Sequence, residues 1–324
     1  MGQPSIAIFG AGAIGIYLAS QFAAAGIAAS LITRPGKALP APLIVEDDQG
    51  RRSAPAIAQV PADQPMPHDI VIVTVKAHQL AAALPEIRSW LAAQGQLVLA
   101  QNGLPWWYFQ GLAGEHGGRR LQAADPDGSL LQGIDLQRTI ACVIHKSVDR
   151  PEPGRILAFS AAGDRFIFGR PLGGLDPALL RLIDTFHLAG LPAEASADIR
   201  SDLWDKLLGN VVLNPLSAST GRDLAALLDD TETHARITAG MQEARAVAGS
   251  FGIAAGRSIA ERLERTVAIA RRGSFRTSML QDRQAGKPLE LDPIVGAVIE
   301  LARLNAIATP TLDRLYAEAR AISL

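Results

Sequence analysis

The stretch Gly10-Ala11-Gly12-Ala13-Ile14-Gly15 constrains this chain more than any other. It follows an apolar run at residues 4–9 that reads as a strand. It opens a segment of helical composition, Gly12 to Ala25, with Ile14, Leu18 and Phe22 at spacing four on one stripe. Ile27 to Thr33 is a second apolar run of strand length. Strand, glycine-rich turn, helix and strand make the half-unit of a doubly wound sheet. In that setting Gly10 permits the tight turn, Gly12 lets backbone approach a diphosphate, and Gly15 lets helix pack on strand. The N–H groups and positive dipole at the helix start suit an anion, so Gly10, Ala11, Gly12, Ala13, Ile14 and Gly15 form a candidate phosphate cradle. The alternative is an ordinary glycine-rich turn.

No charged residue occurs from Ser5 to Thr33, which could suggest a membrane span. Gly10, Gly12, Gly15 and Gly26 punctuate the run, Ser20 and Gln21 interrupt it, and no cationic segment precedes it, so buried strand, helix and strand fit better.

The strand–helix alternation continues. Residues 35–68 are Pro-rich and irregular, with a hairpin turn expected at Asp48-Gln49-Gly50. Strands are expected at 70–75 and 96–100, with a helix from His78 to Leu91 between them. A long loop with a short helix covers 111–137, strands follow at 139–145, 155–160 and 165–169, and a helix at about 177–189 closes the unit. After Pro192 the pattern is helical: about 198–214, 222–229, 232–251, 257–271, 275–285, 293–305 and 310–321, with Asp292-Pro293 and Thr309-Pro310 as N-cap and first-turn proline. The fold class expected is α/β: an N-terminal Rossmann-type doubly wound sheet domain over 1–195, then an all-helical domain over 196–324. The 324 residues suit about two domains.

The strand ends carry the next candidates. A site for an unphosphorylated ribose places Asp or Glu about 20 residues beyond the glycines. Here Thr33-Arg34 stands there. A cation cannot accept the ribose hydroxyl proton but pairs with a 2′-phosphate, which favours NADPH over NADH. Lys76 closes one strand and could meet cofactor phosphate or ribose. Asn102-Gly103 closes another, and Asn102 could meet the nicotinamide ribose or the substrate. Each, taken alone, is more often a surface residue.

In the first helix of the second domain, Lys206, Asn210 and Asn214 lie four apart, among Leu, Val and Trp. They form one slowly drifting stripe. A solvated stripe is the plain alternative, but exposed faces favour better helix formers than asparagine. A lysine and two amides on an otherwise apolar helix suit a cleft wall. Ketone reduction builds negative charge on oxygen, which an ammonium can stabilise and protonate, and partial burial would lower that lysine toward working pH. The amides would fix substrate orientation.

These residues, with Ser278-Met279-Leu280-Gln281-Asp282 and Glu290, resemble the 2-dehydropantoate 2-reductase (ketopantoate reductase) family, in order and along nearly the whole chain. The resemblance implies NADPH-dependent reduction of 2-dehydropantoate to (R)-pantoate, a step toward pantothenate and coenzyme A. It implies Lys206 as proton donor, Asn210, Asn214 and Ser278 as substrate contacts, and Glu290 at the nicotinamide end of the cofactor. Phe275 and Leu224 stand where some members carry polar residues, and Trp106-Trp107 would bring two indoles to the cleft edge. A less polar pocket follows, leaving room for another branched or aromatic 2-oxoacid. A non-catalytic NADP sensor on the same fold is the alternative from a different class.

Lys plus Arg number 31 against 32 Asp plus Glu, so no basic excess points to nucleic acid. The single cysteine, Cys142, allows no internal disulfide and no cysteine metal site. No histidine pair at spacing four suggests a metal. The expectations are therefore a cytoplasmic enzyme acting on a small 2-oxoacid, with no metal, nucleic-acid or membrane partner, and a possible homodimer.

Overall fold

A computed structural model describes residues 3–161, 163–254, 256–271 and 275–323. The chain forms two compact units. One takes Met1–Gln101, Gln110–Gly118 and Ser129–Ile199; the other takes Asn102–Phe109, Arg119–Gly128 and Arg200–Leu324. The division after the sheet thus falls at Ile199/Arg200, and two segments from the first half of the chain, 102–109 and 119–128, go with the helices.

The strands are β1 (Ile6–Phe9), β2 (Ala29–Thr33), β3 (Ile44–Asp47), β4 (Arg52–Ser53), β5 (Ala58–Pro61), β6 (His68–Val73), β7 (Leu91–Leu99), β8 (Thr139–His145), β9 (Ser147–Glu152), β10 (Arg155–Phe159), β11 (Arg165–Gly169) and β12 (Ala193–Ser196). Eight form one sheet in the order β12-β11-β8-β7-β6-β1-β2-β5; the others form a second sheet in the order β4-β3-β10-β9. The helices of this unit are α1 (Ala13–Ala24), α2 (Leu80–Trp90), α3 (Ser129–Gly133) and α4 (Pro177–Leu188). β1 pairs in parallel with both β2 and β6, so the winding direction reverses at β1. That reversal is where doubly wound sheets bind ligands.

All four residues of β1 are buried, as is the Ile70–Val73 run of β6, which explains their unbroken apolar sequences. Ile6, Ile8, Ile16, Phe22, Ile72, Val98, Ile140 and Phe168 share one core with Leu43, just before β3, and with Val45 and Ile156 of the smaller sheet. That sheet lies against α1 through β9 and β10. The large sheet is mixed, because β11 runs antiparallel to β8. Only the β9–β10 hairpin intervenes, and antiparallel strands need no helical crossover.

Arg170, 8% exposed, follows β11. It donates to the Thr139 carbonyl (3.0 Å), to Gln96 Oε1 (2.8 Å) and to the Asp176 carboxylate (2.6 Å). Asp176 also caps α4, accepting from the Ala178 and Leu179 N–H groups. The Arg170 guanidinium is the first cause that holds the Asp176 carboxyl at about 2, well below its ordinary 3.8.

The second unit contains α5 (Ile199–Thr220), α6 (Leu224–Asp229), α7 (Thr231–Ser250), α8 (Ile259–Ala270), α9 (Ser278–Gln284), a π turn at Asp292–Gly296, α10 (Ala297–Leu304) and α11 (Pro310–Arg320). Instead of stopping before Pro215 as expected, α5 continues to Thr220. Burial of Val211, Val212, Leu213 and Leu216 outweighs the roughly 3 kcal/mol that an interior proline costs. Asp292 does not cap a helix as expected. It lies inside the π turn, and its carboxylate accepts the Tyr316 hydroxyl. Thr309 precedes α11, but its hydroxyl bonds the Asp313 carboxylate (3.2 Å) rather than a backbone N–H. Among the described residues, no helix is long and apolar enough to cross a membrane.

Candidate active site

The candidate residues fall into two groups, one in each unit. In the first, the parallel register pairs Phe9 with both Ile32 and Val73. The chain leaves the sheet on the same edge at Gly10, after Thr33 and after Val73, so the glycine turn, Arg34 and Thr74 to Lys76 share the carboxyl edge of the strands. Gly10 has φ +123°, a conformation that side chains disfavour. A Cβ on Gly15 would lie 1.9 Å from the Gly10 carbonyl oxygen and 2.7 Å from Thr74 Oγ1, so only glycine lets α1 come this close. The Thr74 hydroxyl donates to the Gly10 carbonyl at 2.8 Å and fixes the turn. Gly12 is the N-cap of α1 and supplies no side-chain acceptor, and the first turn holds no acidic residue. The amino end of α1 therefore keeps its unsatisfied donors and positive dipole for a ligand. Arg34 is exposed just beyond β2, and Lys76 is half-buried at the start of a single 3-10 turn, Ala77–Gln79.

In the second unit, Lys206 and Asn102, 104 residues apart in sequence, meet directly: Lys206 Nζ donates to Asn102 Oδ1 at 2.7 Å. Each partner is held by its own support. Leu104 N–H donates to the Pro293 carbonyl at 2.8 Å. Between Asn102 and Leu104, Gly103, at φ +88°, passes so near the π turn that a Cβ would lie 2.4 Å from the Pro293 oxygen. Beyond Leu104 the chain is anchored by aromatic burial. Trp106, Trp107, Tyr108 and Phe109 are at most 2% exposed. Trp204 of α5 donates its indole N–H to the Tyr108 hydroxyl (2.8 Å), and Arg200 Nε donates to the Tyr108 carbonyl (2.9 Å). The Arg200 guanidinium lies 5.4 Å from the Trp107 ring centre, within cation–π range. Arg200, Trp204 and Lys206 thus clamp the 102–109 segment along α5. The two tryptophans expected at a cleft edge are instead buried, at 2% and 1% exposure.

Farther along α5, Asn210 is half-buried and Asn214 is 5% exposed. Among the described residues neither amide finds a hydrogen-bond partner, so both keep their donors and acceptors for a ligand. Asp205, beside Lys206, directs its carboxylate to Arg257 (3.0 Å) and Arg262 of the α8 region. Glu290 is 4% exposed, two residues before the π turn. Ser278 is exposed at the first position of α9, where Thr277 provides the cap to Leu280 N–H. Leu224 and Phe275 are joined through backbone, Leu224 N–H to the Phe275 carbonyl at 3.0 Å, and the Leu224 side chain is buried.

Thr74, Gly103 with Pro293, and the Tyr108–Trp204 pair are contributors that sequence reasoning misses. Thr74 has a usable signal, since it is the first residue past β6 opposite Gly10. The others are long-range contacts with no local signature.

Two family models match the chain: "Ketopantoate reductase PanE/ApbA" over residues 6–105 and "Ketopantoate reductase PanE/ApbA C terminal" over 198–323. A 2-dehydropantoate 2-reductase from Mesorhizobium japonicum is 39% identical over 323 residues, 98% of each chain. A crystal structure described as a candidate ketopantoate reductase, from Ralstonia solanacearum MolK2, aligns with TM-score 0.88 at 34% identity, covering 99% of this chain and 98% of that one. A dimeric ketopantoate reductase from Staphylococcus aureus shares the fold at 21% identity, with TM-score 0.74 and 98% of both chains covered.

Proposed function

This chain belongs to the ketopantoate reductase family, and from that premise we propose that it reduces 2-dehydropantoate to (R)-pantoate using NADPH. The residues fit a dinucleotide: a Cβ at Gly12 would meet nothing within 4 Å, so the turn faces open space there, and the uncapped start of α1 offers donors to a diphosphate. Gly10, Ala11, Gly12, Ala13, Ile14 and Gly15 would hold the diphosphate, Arg34 the 2′-phosphate, and Lys76, Asn102 and Glu290 the rest of the cofactor. Bound NADPH supplies two electrons and a hydrogen to the C2 carbonyl carbon of the 2-oxoacid.

The remaining steps belong to side chains. As negative charge grows on the carbonyl oxygen, the Lys206 ammonium stabilises it and delivers the proton. Asn102 holds that ammonium by accepting one of its N–H bonds. Asn210 and Asn214 offer unengaged amides to the substrate's oxygens, and Ser278 offers a hydroxyl. The observation that carries this reading is the 2.7 Å Lys206–Asn102 bond at the head of a stripe of two unpartnered amides. The helical unit is read as a dimer surface, and the cytoplasm as the enzyme's compartment.

Lys206→Ala tests the assignment. Loss of a positioned acid is expected to lower kcat about 10²–10⁴-fold while NADPH affinity changes little. Near-normal turnover would remove Lys206 from the chemistry. Rates across a panel of branched and aromatic 2-oxoacids decide the substrate, with 2-dehydropantoate expected to have the highest kcat/KM.

A further inference from the structure

One arginine outside the expected set reaches the glycine turn. Arg150 lies on β9, the edge strand of the smaller sheet, and its Nη1 donates to the carbonyl of Ala11 at 2.9 Å. Ala11 is the residue between Gly10 and Gly12, so a guanidinium sits directly on the turn that cradles phosphate.

This position is costly unless an anion arrives. Among the described residues Arg150 pairs with no carboxylate. The neighbouring Asp149 side chain takes the Arg150 backbone N–H (2.7 Å). Burial pulls the guanidinium below its ordinary value, so the charged form is partly desolvated. It also faces the amino end of α1, itself positive. Two positive groups without a counter-charge repel each other. Other cations bordering this sheet behave differently: Arg155 of β10 pairs with Glu46 (2.8 Å), and Lys146, before β9, pairs with Asp164 (2.7 Å). A bond to one carbonyl uses one guanidinium N–H and leaves the rest of the fork available, in the geometry suited to phosphate oxygens.

We propose that Arg150 is a diphosphate-binding residue, closing the phosphate cradle from the smaller sheet. The inference rests on the dinucleotide reading above. It divides the cofactor's charges between two arginines, with Arg34 on the 2′-phosphate and Arg150 on the diphosphate.

The test is equilibrium binding, by calorimetry, of three ligands: NADPH, ADP-ribose (a diphosphate without a 2′-phosphate) and adenosine 2′-phosphate (the converse). Arg150→Met is expected to weaken NADPH and ADP-ribose about ten- to hundredfold, the worth of a charge-assisted hydrogen bond, and to leave adenosine 2′-phosphate unchanged. Arg34→Asp is expected to do the reverse, abolishing adenosine 2′-phosphate binding and sparing ADP-ribose. Arg150→Lys keeps the charge; it is expected to recover part of the ADP-ribose affinity and to restore the steep dependence on ionic strength that the methionine variant loses. Unchanged ADP-ribose affinity in Arg150→Met overturns the proposal. So does equal loss of all three ligands, or a lysine variant no better than methionine, since either would make Arg150 a strut for the turn. If Arg150→Met does not fold, the lysine variant decides alone: ADP-ribose affinity and salt dependence close to the parent's support the charge role, and loss of both overturns it. Failure of the parent protein to bind NADPH or ADP-ribose would instead refute the dinucleotide reading itself.

Discussion

Replacing Gly103 with alanine should damage catalysis through a residue that contributes no side chain. The added Cβ would lie 2.4 Å from the Pro293 oxygen and 2.6 Å from its carbonyl carbon, both backbone atoms of a buried π turn that has no flexible end to swing away. At φ +88° a residue with a Cβ is also disfavoured, by about 1–2 kcal/mol. Lifting 102–104 off the turn to relieve the clash forfeits the Leu104–Pro293 hydrogen bond, worth about 1 kcal/mol. The sum is a loss of about 2–3 kcal/mol, or a fall in Tm of roughly 4–12 °C for a unit of this size. The functional effect should be larger. Asn102 is the next residue, and a shift of about 1 Å there moves the acceptor that aims the Lys206 ammonium, which costs on the order of 100-fold in kcat. Thermal melts and steady-state NADPH oxidation with 2-dehydropantoate measure both quantities. A lower Tm with undiminished kcat would show that the Pro293 contact supports the fold without positioning Asn102. An unchanged Tm would refute the steric reasoning altogether.

Arg34→Asp is expected to reverse cofactor preference, raising the KM for NADPH by about tenfold or more and improving the use of NADH, because an aspartate accepts the ribose hydroxyl proton and repels a 2′-phosphate; unchanged discrimination removes Arg34 from the site. The Asp176–Arg170 pair gives an acid limb to stability. Its folded carboxyl, at about 2, lies below the ordinary 3.8, so its contribution is complete above that ordinary value and is lost as pH falls toward 2. Asp176→Asn, which keeps the cap but not the charge, should lower Tm at neutral pH, and the difference from the parent should close over that window. A constant difference from pH 5 to about 2 would mean that the charge pair is not its cause.

The parts legible in the sequence are those where one residue type has one physical use. Gly15 must lack a Cβ because another backbone occupies that space, and the buried β1 and β6 announce themselves by unbroken apolar runs. Lys206, Asn210 and Asn214 are visible because polar residues on an apolar helix have few structural reasons to be there. Other features depend on partners that no local pattern reveals. β12 reads Ala-Glu-Ala-Ser and β9 carries Asp149, Arg150 and Glu152; both are strands because a neighbour offers hydrogen bonds, not because of their own composition. Pro215 and Asp292 mark boundaries in isolation, but core packing in one case and the Tyr316 hydroxyl in the other override the local preference. The membership of 102–109 in the helical unit, which brings Asn102 to Lys206, rests on contacts with α5 and Pro293 far away in the chain.

The burial of the aromatic clamp also makes the protein its own optical gauge. Of its four tryptophans, Trp106, Trp107 and Trp204 sit within or against the 102–109 segment, and only Trp90 lies in the sheet unit. Emission should therefore be blue-shifted in the native state and dominated by the surroundings of Lys206. A red shift on mild heating or in dilute denaturant would register loosening of that mount, so a fluorometer can follow the integrity of the Lys206 setting without substrate, cofactor or label.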